Sequence, residues 1–223
     1  MLGLLLSDDP VRRWLALGLD LLFPPRCAGC GKVDTIWCAA CQQAVESIPF
    51  PPLRSLASDS PLTAVAATAP HEGRVQQALW ALKYENGYQL ALPLGERLAA
   101  RLRALGWTID IIAPVPLHIH RLKTRGYNQA ELLANSMATR LEIPLESGAV
   151  ERLVETRSQV GLNAEERKAN MEQAFRAAPQ LVSGKIVLLV DDVYTTGATL
   201  EACAGAVLEA GAAAVFGLTV TMA

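Results

Sequence analysis

No apolar run in the chain approaches the ~20 residues that a membrane-spanning helix needs, so no transmembrane segment is expected. Charge of one sign is also lacking. Twenty Lys and Arg stand against 22 Asp and Glu, a formal net charge of −2, which excludes a protein-wide pull toward nucleic acid or anionic lipid and leaves room only for a local patch. There is no G-x-x-x-x-G-K-[ST] string, which excludes a P-loop NTPase, and no G-x-G-x-x-G dinucleotide fingerprint. No export signal is expected from the first residues either. Asp8 and Asp9 sit where positive charge belongs, Asp20 interrupts the apolar start, and no small-x-small cleavage site follows. The start reads instead as a helix beginning near Pro10 with Ser7 to Asp9 as its capping region, and a cytoplasmic protein is expected. At 223 residues the chain has room for one sizeable α/β domain and a small appendage.

What is present centres on residues 185–200, KIVLLVDDVYTTGATL. Residues 186–190 form a continuous β-branched apolar run, the pattern of a strand buried on both faces of a parallel sheet. The run ends in Asp191 and Asp192, and a loop of small residues follows: Thr195, Thr196, Gly197, Ala198 and Thr199. Beyond it Leu200, Cys203, Ala204, Val207 and Leu208 make one helical stripe, which Gly211 is placed to end. A loop between a buried strand and a helix N-terminus lies at the carboxyl edge of a sheet, where α/β proteins bind ligands. Free backbone N–H groups there favour an anion, Gly197 permits close approach, and the threonines add hydroxyl donors. The two carboxylates cannot bind the same phosphate; they suit hydroxyl groups or a hydrated Mg²⁺. Phosphate beside a diol describes a sugar phosphate. The arrangement resembles the ribose-phosphate fingerprint of type I phosphoribosyltransferases, which bind phosphoribosyl pyrophosphate (PRPP). That resemblance implies Asp191 and Asp192 on the ribose hydroxyls, and residues 195–199 on the 5′-phosphate.

Four of the five cysteines fall into two C-x-x-C knuckles, Cys27 with Cys30 and Cys38 with Cys41. Folded together they present four thiolates to a structural Zn²⁺, with no open coordination position for catalysis. Two disulfides are the alternative, disfavoured in a chain without an export signal. Cys203 lies on an apolar helical stripe and reads as core. The proline-rich stretch 47–61 is the natural boundary between a zinc-finger segment, 1–50, and a larger domain, 62–223.

Within the larger domain, residues 63–68 read as a strand, and 72–84 and 88–105 as helices broken at Asn86 and Gly87. Leu79, Trp80 and Leu82 are expected to pack; Lys83 can touch a ligand but suits a solvated face as well. Residues 109–112 are a second buried-strand candidate, expected with 186–190 as an inner strand and ended by Pro114 and Pro116. Arg121, Lys123 and Arg125 follow at the same sheet edge, cations suited to a pyrophosphate. His118 and His120 read as surface histidines. Gly126 leads into a helix with Leu132, Leu133, Met137 and Leu141 as its core stripe. In residues 155–175, Arg157, Gln159, Asn163, Arg167 and Lys168 have the composition of a lid; Asn163 with Glu166 caps a helix running to Phe175. An ordinary exposed helix and loop has the same spacing.

Taken together these strings resemble the ComF family of bacterial competence-associated proteins. The likeness rests on the C-x-x-C pair, Leu82-Lys83-Tyr84, residues 114–117 (PVPL), 121–129 (RLKTRGYNQ), 156–175 and the string 187–199. It implies a zinc finger on a type I phosphoribosyltransferase fold, a mainly parallel twisted sheet flanked by helices, and a role in natural transformation or DNA utilisation. Two activities are consistent with it. One is transfer of a phosphoribosyl group from PRPP, with Mg²⁺, to an acceptor the sequence does not name. The other is a non-catalytic PRPP- or DNA-binding module, docking a helicase-type DNA-processing partner or single-stranded DNA through its zinc finger.

Overall fold

The computed structural model describes residues 24–153 and 174–223. The helix expected near Pro10 and the lid candidates Arg157 and Gln159 lie outside the described residues. In chain order the elements are α1 (Ala39–Glu46), β1 (Ala64–Pro70), α2 (Gly73–Tyr84), a 3₁₀ turn (Tyr88–Leu90), α3 (Ala91–Leu105), β2 (Ile111–Pro114) and α4 (Ile119–Arg125). Then come α5 (Gln129–Leu141), β3 (Val150–Arg152), β4 (Phe175–Ala177), α6 (Pro179–Val182), β5 (Ile186–Tyr194), α7 (Ala198–Glu209) and β6 (Ala214–Met222).

The main sheet has the order β1-β6-β5-β2, every neighbouring pair parallel. Parallel strands need cover on both faces, and β5 shows why. Leu188 and Val190 join one core with α2, α3 and α5, whereas Val187 and Leu189 join a second core with α7 and the antiparallel β3–β4 pair. Successive side chains on a strand point to opposite faces, so the unbroken apolar run feeds both layers. On the first face α3 closes tightly on α5, because a Cβ at Gly95 would lie 2.5 Å from that of Ser136.

Several elements depart from the sequence reading. Residues 186–190 are the start of a longer strand: β5 runs on to Tyr194 because β6 stays beside it, pairing Asp191 with Thr219 and Tyr194 with Met222. β2 lies at the end of the four-strand order rather than inside it. It is still fully buried, because the 144–146 segment covers its outer flank: Ile112 N–H donates to Pro144 O, and Glu146 N–H to Ile112 O, each at 2.9 Å. Phe175 opens strand β4 instead of ending a helix. Leu79 and Leu82 are buried, but Trp80, between them in sequence, faces solvent. Leu208 is likewise at the surface, while Cys203 is fully buried in the second core.

The cysteine segment is joined to the sheet through α1 and the stretch of chain just beyond it. Val45 belongs to the first core. The buried Arg97 of α3 donates to the carbonyls of Glu46 (3.1 Å), Ile48 (2.6 Å) and Thr68 (2.8 Å). Arg101 donates to Pro51 O at 2.6 Å, and both guanidinium groups lie about 5 Å from the Phe50 ring.

Candidate functional site

All four sheet strands are parallel, so their carboxyl ends open onto one edge. There β5 leaves the sheet at Tyr194 and turns through Thr195, Thr196 and Gly197 into α7. Gly197 has φ +87° and a Cβ there would run into the Tyr194 hydroxyl, so the turn needs glycine twice over. Thr195, Thr196, Gly197, Ala198 and Thr199 line one small concavity of about 50 Å³ together with Asp191. Its base is the N-terminus of a 12-residue helix, where orphan N–H groups and the dipole favour an anion. Ala198 N–H points to the Thr196 hydroxyl at 3.4 Å. The strings expected as a loop are therefore divided, with Ala198 and Thr199 already in the helix's first turn.

Asp191 and Asp192 lie within β5, and strand alternation sends their side chains to opposite faces. They still line a common cleft of about 140 Å³, with Lys83, Tyr84, Arg121, Arg125, Gln129 and Arg152 among its other walls. Asp192 is 5% exposed, and its Oδ2 lies 2.6 Å from Lys83 Nζ. That contact is an ion pair without the alignment of a hydrogen bond, so Oδ2 is a buried acceptor with unused capacity. Asp192 N–H donates to Asp191 Oδ1 at 2.8 Å. Asp191 keeps some accessible surface in the cleft but is densely surrounded. Burial, and then the Asp192 charge, push its carboxyl well above the usual carboxylate range against the opposing pull of the Asp192 N–H and Lys83.

The basic segment divides. Arg121 and Arg125, one helical turn apart on α4, line the cleft; Lys123 does not. Arg125 donates to Gln129 Oε1 and stacks over the Tyr84 ring at 5.4 Å. His118 is no surface residue: it is 8% exposed and caps α4, its Nδ1 accepting from His120 N–H at 3.3 Å. Asn128 caps α5 and ties the segment back to β2, donating through Nδ2 to Val115 O at 3.0 Å. Tyr84, Gln129 and Arg152 are cleft residues that spacing did not single out, and Lys83, expected as able to touch a ligand or to sit on a solvated face, lines the cleft with them. Lys83 sits on the last turn of an amphipathic helix, where a solvated lysine has the same pattern.

Away from the edge, the Sγ atoms of Cys27, Cys30, Cys38 and Cys41 all lie within 4.8 Å of one another. Such a set can hold a metal ion. Burial works against a thiolate at Cys27, but N–H groups of Cys38, Gly29 and Cys30 and the Cys41 thiol outweigh it and bring the group down to about 6. Cys38 N–H donates to Cys27 Sγ at 3.4 Å. Cys41 shifts upward, chiefly through burial and then its sulfur neighbours. Gly29 lets the knuckles close, since a Cβ there would stand 2.8 Å from Cys41 Sγ. No helix among the described residues is long and apolar enough to cross a membrane.

Comparison with known proteins gives a match to the phosphoribosyl transferase domain family over residues 91–223. The chain is 31% identical over 194 residues to the DNA utilization protein YhgH of Escherichia coli K12, covering 85% of each chain. It is 43% identical over 94 residues to competence protein F of Haemophilus influenzae, 41% of each chain. Competence protein ComFC of Bacillus subtilis is 35% identical over 111 residues, 47% of this chain and 40% of that one.

Proposed function

The chain belongs to the ComF family of phosphoribosyl transferase-domain proteins, and on that premise we propose that it binds PRPP at the carboxyl edge of the sheet and transfers its phosphoribosyl group. The observation that carries this is the meeting of three chemically distinct groups around one edge: a helix-N-terminal anion cradle at 195–199, an acid pair beside it, and Arg121 with Arg125 opposite. The cradle suits the 5′-phosphate, and Asp191 and Asp192 accept from the ribose hydroxyls. Arg121 and Arg125 meet the pyrophosphate with bidentate donors and take up charge as the C1′–O bond breaks. The unused acceptor capacity at Asp192 Oδ2 fits a ligand that brings donors or a hydrated cation. Mg²⁺ bound with PRPP would neutralise part of the pyrophosphate charge.

The four thiols fit a structural Zn²⁺ in number, spacing and burial. The DNA roles in the names of YhgH and the competence proteins support placing this activity in DNA uptake or utilisation. The test of the PRPP reading is calorimetry of the wild-type chain with PRPP plus Mg²⁺, compared with ribose 5-phosphate, followed by an assay of pyrophosphate release. Tighter binding of PRPP than of ribose 5-phosphate is expected. Equal binding, or none, refutes the reading.

A further inference from the structure

A second cleft adjoins the first, with a volume of about 550 Å³, lined by His71, Gln76, Gln77, Leu79, Trp80, Lys83 and Tyr84. Lys83 and Tyr84 line the acid-pair cleft as well, so the two meet along these side chains. Their chemistries differ. The Lys83 ammonium contacts Asp192, which leaves two amides, an imidazole, the Tyr84 hydroxyl and the Trp80 indole N–H as the second cleft's other polar groups. Its apolar wall is Trp80 and Tyr84, 59% and 61% exposed. Their centroids are 4.5 Å apart and their planes 50° apart, a tilted contact that still leaves most of each side chain open to solvent. Arg125 lies over Tyr84 from the other cleft. Trp80, Tyr84 and Arg125 thus form a ladder from solvent to the acid-pair cleft. All the second cleft's lining residues precede the span matched by the family model.

We propose that this cleft is the acceptor subsite, that it takes a planar heteroaromatic ring bearing an N–H, and that His71 receives that proton. The inference rests on the PRPP reading of the first cleft. Exposed aromatic faces stack planar rings, and Gln76 and Gln77 offer both donors and acceptors for ring edges. His71 sits in the turn after β1, at the same sheet edge as the acid pair. Its backbone N–H donates to Met222 O at 2.8 Å, and its ring Nδ1 is 2.8 Å from Thr221 Oγ1, a contact that orients the ring and leaves Nε2 for a ligand. Burial, then the Lys83 charge from α2, lower its pKa against the pull of Asp192 from β5, so the imidazole is neutral and able to accept. In the reaction the ring nitrogen forms a bond to C1′ and the C1′–O bond breaks. The electron pair leaves on pyrophosphate, toward Arg121 and Arg125, and the N–H proton passes to His71 Nε2.

The ring can belong to a free heterocyclic base or to the end of a single strand, and the experiment has an arm for each. Pyrophosphate release from PRPP is measured with adenine, guanine and uracil in one arm and a short single-stranded oligodeoxyadenylate in the other. Stimulation in either arm is expected and identifies the source. Trp80→Ala should raise the acceptor KM about fivefold or more while Trp80→Phe restores most of it, with PRPP affinity unchanged by calorimetry. His71→Gln should lower kcat about 100-fold with little change in KM, and remove the acid limb of the pH profile. A probe that binds in a Trp80-dependent way without pyrophosphate release supports the subsite and overturns the role of His71. No stimulation and no binding of any probe to the PRPP-loaded protein overturns the proposal, as does a Trp80→Ala variant that loses PRPP affinity. Failure of the wild type to bind PRPP refutes the underlying reading instead, so the two failures are distinguishable.

Discussion

Asp191 and Asp192 are adjacent in sequence, yet a strand gives them opposite faces and different neighbours. Asp192 is held by Lys83, and Asp191 by the Asp192 N–H. Replacing both by alanine should weaken PRPP binding, since each charged hydrogen bond to a hydroxyl is worth ~1.5–3 kcal/mol. Calorimetry on the folded variant checks this, and equal affinity would remove the ribose role. Asp191 also carries a stability signature. A carboxyl whose pKa is raised in the fold contributes stability that is whole below its unfolded value and lost as pH rises through the folded one. Asp191→Asn should therefore melt above the parent at about pH 8 without ligand, the gap closing toward about pH 4. A gap independent of pH would contradict the burial account. The cations divide by helical phase. Arg125→Ala should cost PRPP affinity and leave ribose 5-phosphate binding little changed, whereas Lys123→Ala, outside the cleft, should leave both little changed. Comparable losses for both variants would mean that the segment acts only through general charge.

Among the elements, the β5–α7 turn is the one most exposed to a single change. Gly197→Ala puts a methyl into the Tyr194 hydroxyl and asks alanine for φ +87°, so it should lower PRPP affinity strongly while circular dichroism stays near the parent. Undiminished affinity would show that the cradle tolerates rearrangement. This turn was legible in the sequence because its chemistry is local: apolar run, acids, small hydroxyl residues and glycine are contiguous. The length of β5 was not, because its last residues are strand only through pairing with β6, a partner about 30 positions away. The same holds for β2. Its apolar run reads as an inner strand, but its outer neighbour is the irregular 144–146 segment rather than another strand. Trp80 and His118 show the opposite failure, of residue type against context. Trp80 stays in solvent beside buried Leu79, and His118 is buried as a cap. Lys83 was readable as a lysine on a helix end, while its pairing with Asp192 is a tertiary fact.

At the scale of the whole molecule, the cysteine segment and the sheet are tied by buried side chains, Arg97 foremost. Arg97 donates to three carbonyls belonging to the end of α1, the chain just beyond it, and β1. Burial lowers its pKa against the opposing pull of the Glu46 charge, but a guanidinium remains charged, and its hydrogen bonds here all go to carbonyl dipoles. Val45, four residues beyond the last cysteine of the knuckles, is already part of the main core. This geometry singles out two variants. Arg97→Met keeps an apolar stem but strips a charged donor from up to three carbonyls, at ~1–3 kcal/mol for each left unsatisfied. A loss of about 3 kcal/mol would lower Tm by about 6–12 °C in a chain of this size. Cys38→Ser acts from the other end, removing one of the four thiols proposed to hold Zn²⁺, whose binding energy would fold this segment. If Arg97 couples the two parts, Cys38→Ser should also lower the melting temperature of the sheet domain. In the Arg97→Met background that second loss should shrink, because the link is already cut. A double-mutant cycle followed by calorimetry gives the coupling directly. Strictly additive losses, or two separate transitions in the wild type, would mean that the cysteine segment and the sheet fold independently despite their shared core.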